Sequence, residues 1–219
     1  MKFGRFVVLI ALVVASSPIV APRLLAFPYH HRFGQHDVYS VAPLSPRLGR
    51  IIAVADRKVA VSPSGSYRAP DQTIVLTDGG WRWLWLANVA HGAFGFTRAL
   101  NETVVLNRTD QARDVVYNGA VVGGVRSLDG VIAHEMTHGS LRAHFGLATD
   151  GRYPTALVEG YCDYVAGGGS LTDAQALNLI AHKQHHPALP YWLGRKQIAA
   201  DLAKPGITLD SVFARQAKF

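Results

Sequence analysis

The stretch Val131-Ile132-Ala133-His134-Glu135-Met136-Thr137-His138-Gly139 constrains this chain more than any other. Histidines four apart share one face of a helix, about one turn from each other. Both rings can then reach a single metal ion, while Glu135 is rotated away and sits beside the ion rather than on it. A carboxylate in that position can take a proton from a water molecule. Leu128, Val131 and Ile132 give the helix an apolar face, and Asp129 suits its first turn, where the helix dipole favours negative charge. A buried helix with His-Glu-x-x-His at its middle needs something to satisfy those polar groups, and a metal ion does so. The plain alternative is an amphipathic helix whose histidines are ordinary core or surface residues.

A catalytic zinc takes three protein ligands and leaves a fourth position open. The candidate third ligand is Glu159, in Pro154-Thr155-Ala156-Leu157-Val158-Glu159-Gly160-Tyr161-Cys162-Asp163-Tyr164. Ser140 to Phe145 can finish the first helix, and Gly146 to Tyr153 has the glycines and polar residues of a loop. Pro154 suits the first turn of a second helix. Asp163 follows Glu159 by one turn on the same face, where a carboxylate can accept the free ring N–H of a ligating histidine and fix its orientation. Glu159 read on its own is a solvated helix residue. Yet the chain has three glutamates, Glu102, Glu135 and Glu159, and two of them fall in this constellation.

With His134-Glu135-x-x-His138 followed by Glu159-Gly160-x-x-Asp163-Tyr164, the chain resembles the gluzincin metallopeptidases, the broad thermolysin-like and aminopeptidase-like group. Tyr191-Trp192-Leu193-Gly194 adds a third matching piece. The resemblance implies a Zn2+ cofactor held by His134, His138 and Glu159, Glu135 as the base, and Tyr191 as donor to the transition-state oxyanion. A packing tyrosine is the alternative for Tyr191. The resemblance covers roughly Asp129 to Lys204. The Gly-Ala-Met-Glu-Asn motif with which the aminopeptidase branch holds a substrate amine is missing. The nearest stretch, Asn118-Gly119-Ala120-Val121-Val122-Gly123-Gly124-Val125, has no acidic residue and reads as a loop and strand, which leaves an endopeptidase more open.

At the start, Met1-Lys2-Phe3-Gly4-Arg5 is basic, and Phe6 to Ala15 is an unbroken apolar run. That is the pattern of an export signal. The run is shorter than the roughly 20 residues of a membrane-spanning helix, but extension to Phe27 makes an uncleaved anchor an equal alternative. Residues 1–27 are therefore expected to be a signal peptide or membrane anchor, with the rest on the extracytoplasmic side and the membrane as a partner. The lone Cys162 permits no internal disulfide and reads as a buried structural thiol. A formal charge of +7 comes without any dense run of Lys and Arg interleaved with aromatics, so nucleic acid is not an expected partner.

Residues 28–219, with apolar residues at 49% of the whole chain, are expected to form one α+β unit. A small N-terminal mixed-sheet lobe (28–127) precedes a mainly helical lobe (128–219), with the active-site helix between them. Asp37 to Val41, Thr73 to Thr77, Phe94 to Thr97 and Thr103 to Asn107 read as strands, and the strand near Phe94 offers an edge to an extended substrate. Pro46 to Ala60 has a helical rhythm, and Thr172 caps a helix over Asp173 to His182. Leu193 to Leu202 and Leu209 to Ala214 read as two more short helices. The alternating tryptophans of Trp81-Arg82-Trp83-Leu84-Trp85-Leu86 share one face in a strand and spread around half of a helix; core, substrate wall and membrane contact are all open. His30-His31 and His182, His185 and His186 read first as surface groups. The expected function is zinc-dependent hydrolysis of a peptide or protein substrate outside the cytoplasmic membrane. The alternative is a membrane-anchored, zinc-containing binding or assembly protein without catalysis.

Overall fold

The computed structural model describes residues 27–68, 71–87 and 90–216, together with Val7, Val8 and Ile10. The expected signal or anchor at 1–27 thus lies, apart from Val7, Val8, Ile10 and Phe27, outside the described residues. Among the described residues no helix is long and apolar enough to cross a membrane.

The fold is α+β, with a mixed sheet in the first half and mostly helices in the second. Seven strands form the sheet: β1 (Tyr29–Phe33), β2 (His36–Ser40), β3 (Ile74–Thr77), β4 (Gly95–Thr97), β5 (Val104–Asp110), β6 (Val115–Tyr117) and β7 (Val125–Ser127). Their order is β1-β2-β3-β5-β6-β7, with β4 paired to the first half of β5 on the side away from β3. The β2, β3 and β5 strands are parallel and the remaining pairings antiparallel. Parallel strands covered on both faces are apolar throughout, and Ile74, Val75, Leu76, Val104, Val105 and Leu106 are all buried. The crossover from β2 to β3 is helix α1 (Leu48–Ala60), which turns Leu48, Ile52, Ala55 and Val59 onto the sheet.

The tryptophan stretch is helix α2 (Trp81–Ala87), so its alternation is not a strand signal. Helical geometry separates the three rings. Trp83 is buried with Leu86 and Ala87 against Val75 and Val105, whereas Trp81 and Trp85 stay exposed. The opposite sheet face carries helix α3 (Leu128–Phe145), which is buried nearly all round among the sheet, α1 and helix α5 (Thr155–Ala166). Ser127 caps its start through Gly130 N–H, and Gly146 ends it at φ 95°. The expected loop from Gly146 to Tyr153 contains a short helix, α4 (Thr149–Arg152), and Pro154 caps α5 rather than sitting inside its first turn. Helix α6 (Asp173–Ala181) starts with a full capping box between Thr172 and Gln175. Helices α7 (Leu189–Leu202) and α8 (Leu209–Ala214) complete the chain, and α7 begins a turn earlier than Leu193, so that it includes Tyr191.

Helices α5 and α7 meet backbone to backbone. A Cβ on Gly160 would lie 2.5 Å from Gly194 C and 2.7 Å from Arg195 N, and one on Gly194 would run into Ala156 O. Glycine is thus required on both sides by the closeness of the crossing. This contact fixes α7, and with it Tyr191, one turn from the Glu159 segment. Replacing Gly194 by Ala is expected to force the helices apart and to destabilise the chain by about 1–3 kcal/mol. Urea unfolding of the full chain measures this, and wild-type stability of the variant would remove the crossing as the element that sets α7.

Candidate metal centre

Helix α3 delivers His134 and Glu135 into the interior, both buried, and His138 to the edge of a cleft. The two imidazoles lie with ring centroids 5.1 Å apart. Helix α5 crosses them with Glu159, Cys162 and Asp163 on the facing side, the i, i+3, i+4 positions of one helical face. Glu159 spans both rings: Oε2 is 3.2 Å from His134 Nε2, and Oε1 is 3.5 Å from His138 Nε2. The three ligands expected from the sequence are therefore brought together.

Each imidazole also has a carboxylate at its far nitrogen. His134 Nδ1 is 2.8 Å from Asp163 Oδ1, as expected for an orienting group. Asp163 is itself held by the buried Arg126, whose Nη2 is 2.8 Å from the same oxygen and also donates to Gly168 O at 2.9 Å. His138 Nδ1 lies 3.7 Å from Asp150 Oδ1. Asp150 in turn meets Arg142, which forks onto Glu102 through Nε at 3.1 Å and Nη2 at 2.6 Å. Glu135 and Glu159 thus stand at the centre, and Glu102 is linked to it through Arg142 and Asp150.

Sequence reasoning did not find Arg126, Asp150 or the Arg142–Glu102 pair. Arg142 was within reach, since it follows His138 by one helical turn. Arg126 and Asp150 come from separate elements, and no local spacing points to them. Cys162 is buried, as expected of a structural thiol, and its surroundings add a second possibility. Read from the sequence as a structural thiol outside the ligand set, it forms with His134 and His138 a buried cluster, all ligand atoms within 4.8 Å of one another, that can hold a metal ion. Burial pushes its thiol well above the ordinary range, and the charges of Glu159 and Glu135 add to this.

The cleft beside the centre has a volume of about 740 Å³. Glu135 and Glu159 open into it, and Gly95, Phe96 and Thr97 of β4 line it together with Tyr191 and His186. The Thr97 hydroxyl shares its one proton between Glu135 Oε2 at 2.9 Å and the Glu135 backbone oxygen at 2.7 Å. Gly95 leaves room for that carboxylate, since a Cβ there would lie 3.1 Å from Glu135 Oε1. Asn107 N–H donates to Phe94 O and Arg98 N–H to Thr103 O, so the even positions of β4 bond to β5. The backbone groups of Gly95 and Thr97 therefore point away from β5, and both residues line the cleft. Of the other histidines, His182 and His185 are exposed, while His30 bonds to Asp37 and stacks on Tyr39.

The donor set suits a cation. Burial lowers the His134 pKa, but hydrogen bonds to Asp163 and Glu159 outweigh this and push it up to about 10. Burial likewise lowers His138, and the charge of Glu159 with the bond to Asp150 more than reverses it. Burial raises Glu159, yet the charge of His138 and the bond from His134 hold it below the ordinary carboxylate range. Asp163 is held low in the same way by Arg126 and His134. Without metal, protons on the imidazoles supply the positive charge that these carboxylates require. No family model matches the chain, and no curated protein or solved structure matches it.

Because His134 binds its proton more tightly folded than unfolded, its pairing stabilises the metal-free chain fully below pH 6.5 and is lost as pH rises towards about 10. Thermal melts of metal-free protein are expected to show Tm falling across that interval. A divalent metal must displace these protons, so its stabilising effect should grow as pH rises. A metal-induced shift that is the same in mild acid and mild alkali would show that the ion does not bind at these rings.

Proposed function

We propose that this chain is a zinc-dependent endopeptidase acting outside the cytoplasmic membrane. One observation carries the reading: Glu159 spans the Nε2 atoms of His134 and His138 while Glu135, the next residue on the same helix, faces the same cleft. His134, His138 and Glu159 would hold a zinc ion, which would supply Lewis acidity to a water and to a carbonyl oxygen. Glu159 suits the role better than Cys162 because its carboxylate opens to the cleft, whereas the thiol is fully buried.

The remaining roles fall to the chain's own groups. An extended polypeptide lies along β4, and the outward backbone groups of Gly95 and Thr97 take its strand hydrogen bonds. Glu135, steadied by the Thr97 hydroxyl, takes a proton from the attacking water and returns it to the leaving nitrogen. Tyr191 donates to the oxygen on which negative charge develops. Its phenol keeps its proton, since burial and the charges of Glu159 and Asp163 raise its pKa. Asp163 and Asp150 hold the two imidazoles from behind. The carboxylates lining the cleft are already engaged: Glu135 with Thr97, Asp150 with Arg142, Glu159 and Asp163 with the imidazoles. A free substrate amine therefore has no waiting partner, which favours cleavage within a chain. A zinc protein of purely structural role has no use for a buried carboxylate at position 135.

Glu135→Gln keeps the shape of the side chain and removes its basicity. The variant is expected to retain zinc and to lose about 10²–10⁴-fold in kcat/KM on a quenched-fluorescence peptide library. Hydrolysis at the wild-type rate would remove Glu135 as base. The ligand set is read separately from metal content after dialysis. Glu159→Ala is expected to lose about one equivalent of zinc retained by Cys162→Ala. The reverse pattern would give the third position to the thiol.

A further inference from the structure

The face of α2 that the fold does not use is apolar. Trp81, Leu84 and Trp85, at i, i+3 and i+4, are exposed by 59%, 53% and 40%, and Arg82 is the one charged residue of the helix. Surface helices ordinarily turn polar side chains outwards, so three large apolar groups side by side mark a contact surface. The chain enters the fold at the same place. Phe27 packs on the cluster formed by Trp83, Leu86 and Val75, and the Arg82 guanidinium lies 5.7 Å from its ring and 4.6 Å from the Trp81 ring. Upstream of Phe27 in the sequence come the basic start and the apolar run of residues 6–15.

We propose that the Trp81, Leu84 and Trp85 face of α2 seats in the headgroup–acyl boundary of the membrane that holds the N-terminal segment. The proposal rests on reading that segment as membrane-inserted. A segment in the bilayer delivers Phe27 to the membrane surface, and α2 is packed against Phe27. Tryptophan suits that boundary because its ring is apolar and its N–H polar. Trp81 and Trp85 are exposed, whereas the Trp83 indole N–H donates to His91 O at 3.0 Å inside the fold. The loop leaving α2 lines the cleft through Ala90, Gly92 and Ala93, so the proposed membrane contact and the cleft share one stretch of chain.

The test uses the full chain in vesicles of zwitterionic and anionic phospholipid. Leu84→Cys and, as control, Val61→Cys each carry a thiol-linked fluorophore; Val61 is 83% exposed and Cys162 is fully buried. A lipid quencher is placed near the top of the acyl chains. The label at 84 is expected to be quenched at least about twofold more than the label at 61, as for a side chain at the headgroup–acyl boundary. Equal quenching in chains that float with the vesicles would overturn the docking alone, and it is the result expected if residues 1–26 or a second copy cover the face. Chains that do not float with the vesicles would overturn the membrane reading and the docking together.

Discussion

The arrangement of this protein depends on how a helix with charged and polar groups at its centre is taken into the interior. Burying two imidazoles and a carboxylate without partners would cost several kcal/mol per group. Helix α3 is nevertheless surrounded by sheet and helices, with Leu128, Val131, Ile132 and Leu141 in the main core. The cost is offset by alternating charge. Arg126 faces Asp163, Asp163 faces His134, and His134 faces Glu159. On the other side Glu102 faces Arg142, Arg142 faces Asp150, and Asp150 faces His138. The two chains of charge end on the same pair of rings, where the buried cluster can hold a metal ion.

The partners come from distant parts of the chain. Arg126 is on β7, Asp150 on α4, Glu102 in the turn between β4 and β5, and Asp163 on α5. The polar network thus sets the relative placement of sheet and helices around the cleft, while the apolar core supplies the driving force. A second constraint works by proximity. The Gly160 and Gly194 backbones touch, and the resulting tight crossing of α5 and α7 puts Tyr191 in the lining of the cleft that β4 also lines. Glycine in Glu159-Gly160 and in Tyr191-x-x-Gly194 therefore has a packing reason that is separate from the chemistry of the neighbouring residue.

The parts of the centre legible in the sequence are those whose geometry is local. His134 and His138 share a helix turn, as do Glu159 and Asp163, and the period of 3.6 residues suffices to pair them. Strands at Thr73 to Thr77 and Thr103 to Asn107 were legible because parallel strands buried on both faces leave continuous apolar runs. The tryptophan stretch was ambiguous, since alternation over six residues fits either period. The tertiary environment resolved it by offering Val75 and Val105 to one face of a short helix. Cys162 shows the limit of reading a residue type alone: its place between Glu159 and Asp163 was visible, but its approach to His134 and His138 was not.

By itself, the sequence determined that two histidines and a glutamate share one helical region, that a second helix brings carboxylates at one-turn spacing, and that a mixed sheet precedes them. Each of these follows from periodicity and side-chain type within a short span. Only the tertiary structure decided that the second helix crosses the first with Glu159 between the rings. It alone decided that β4, paired only to β5 among the described residues, lies beside Glu135, and that Arg126, Asp150 and Arg142 back the histidines. Those outcomes depend on contacts between residues far apart in the chain, and their geometry is fixed by close packing and by the need to pair every buried charge.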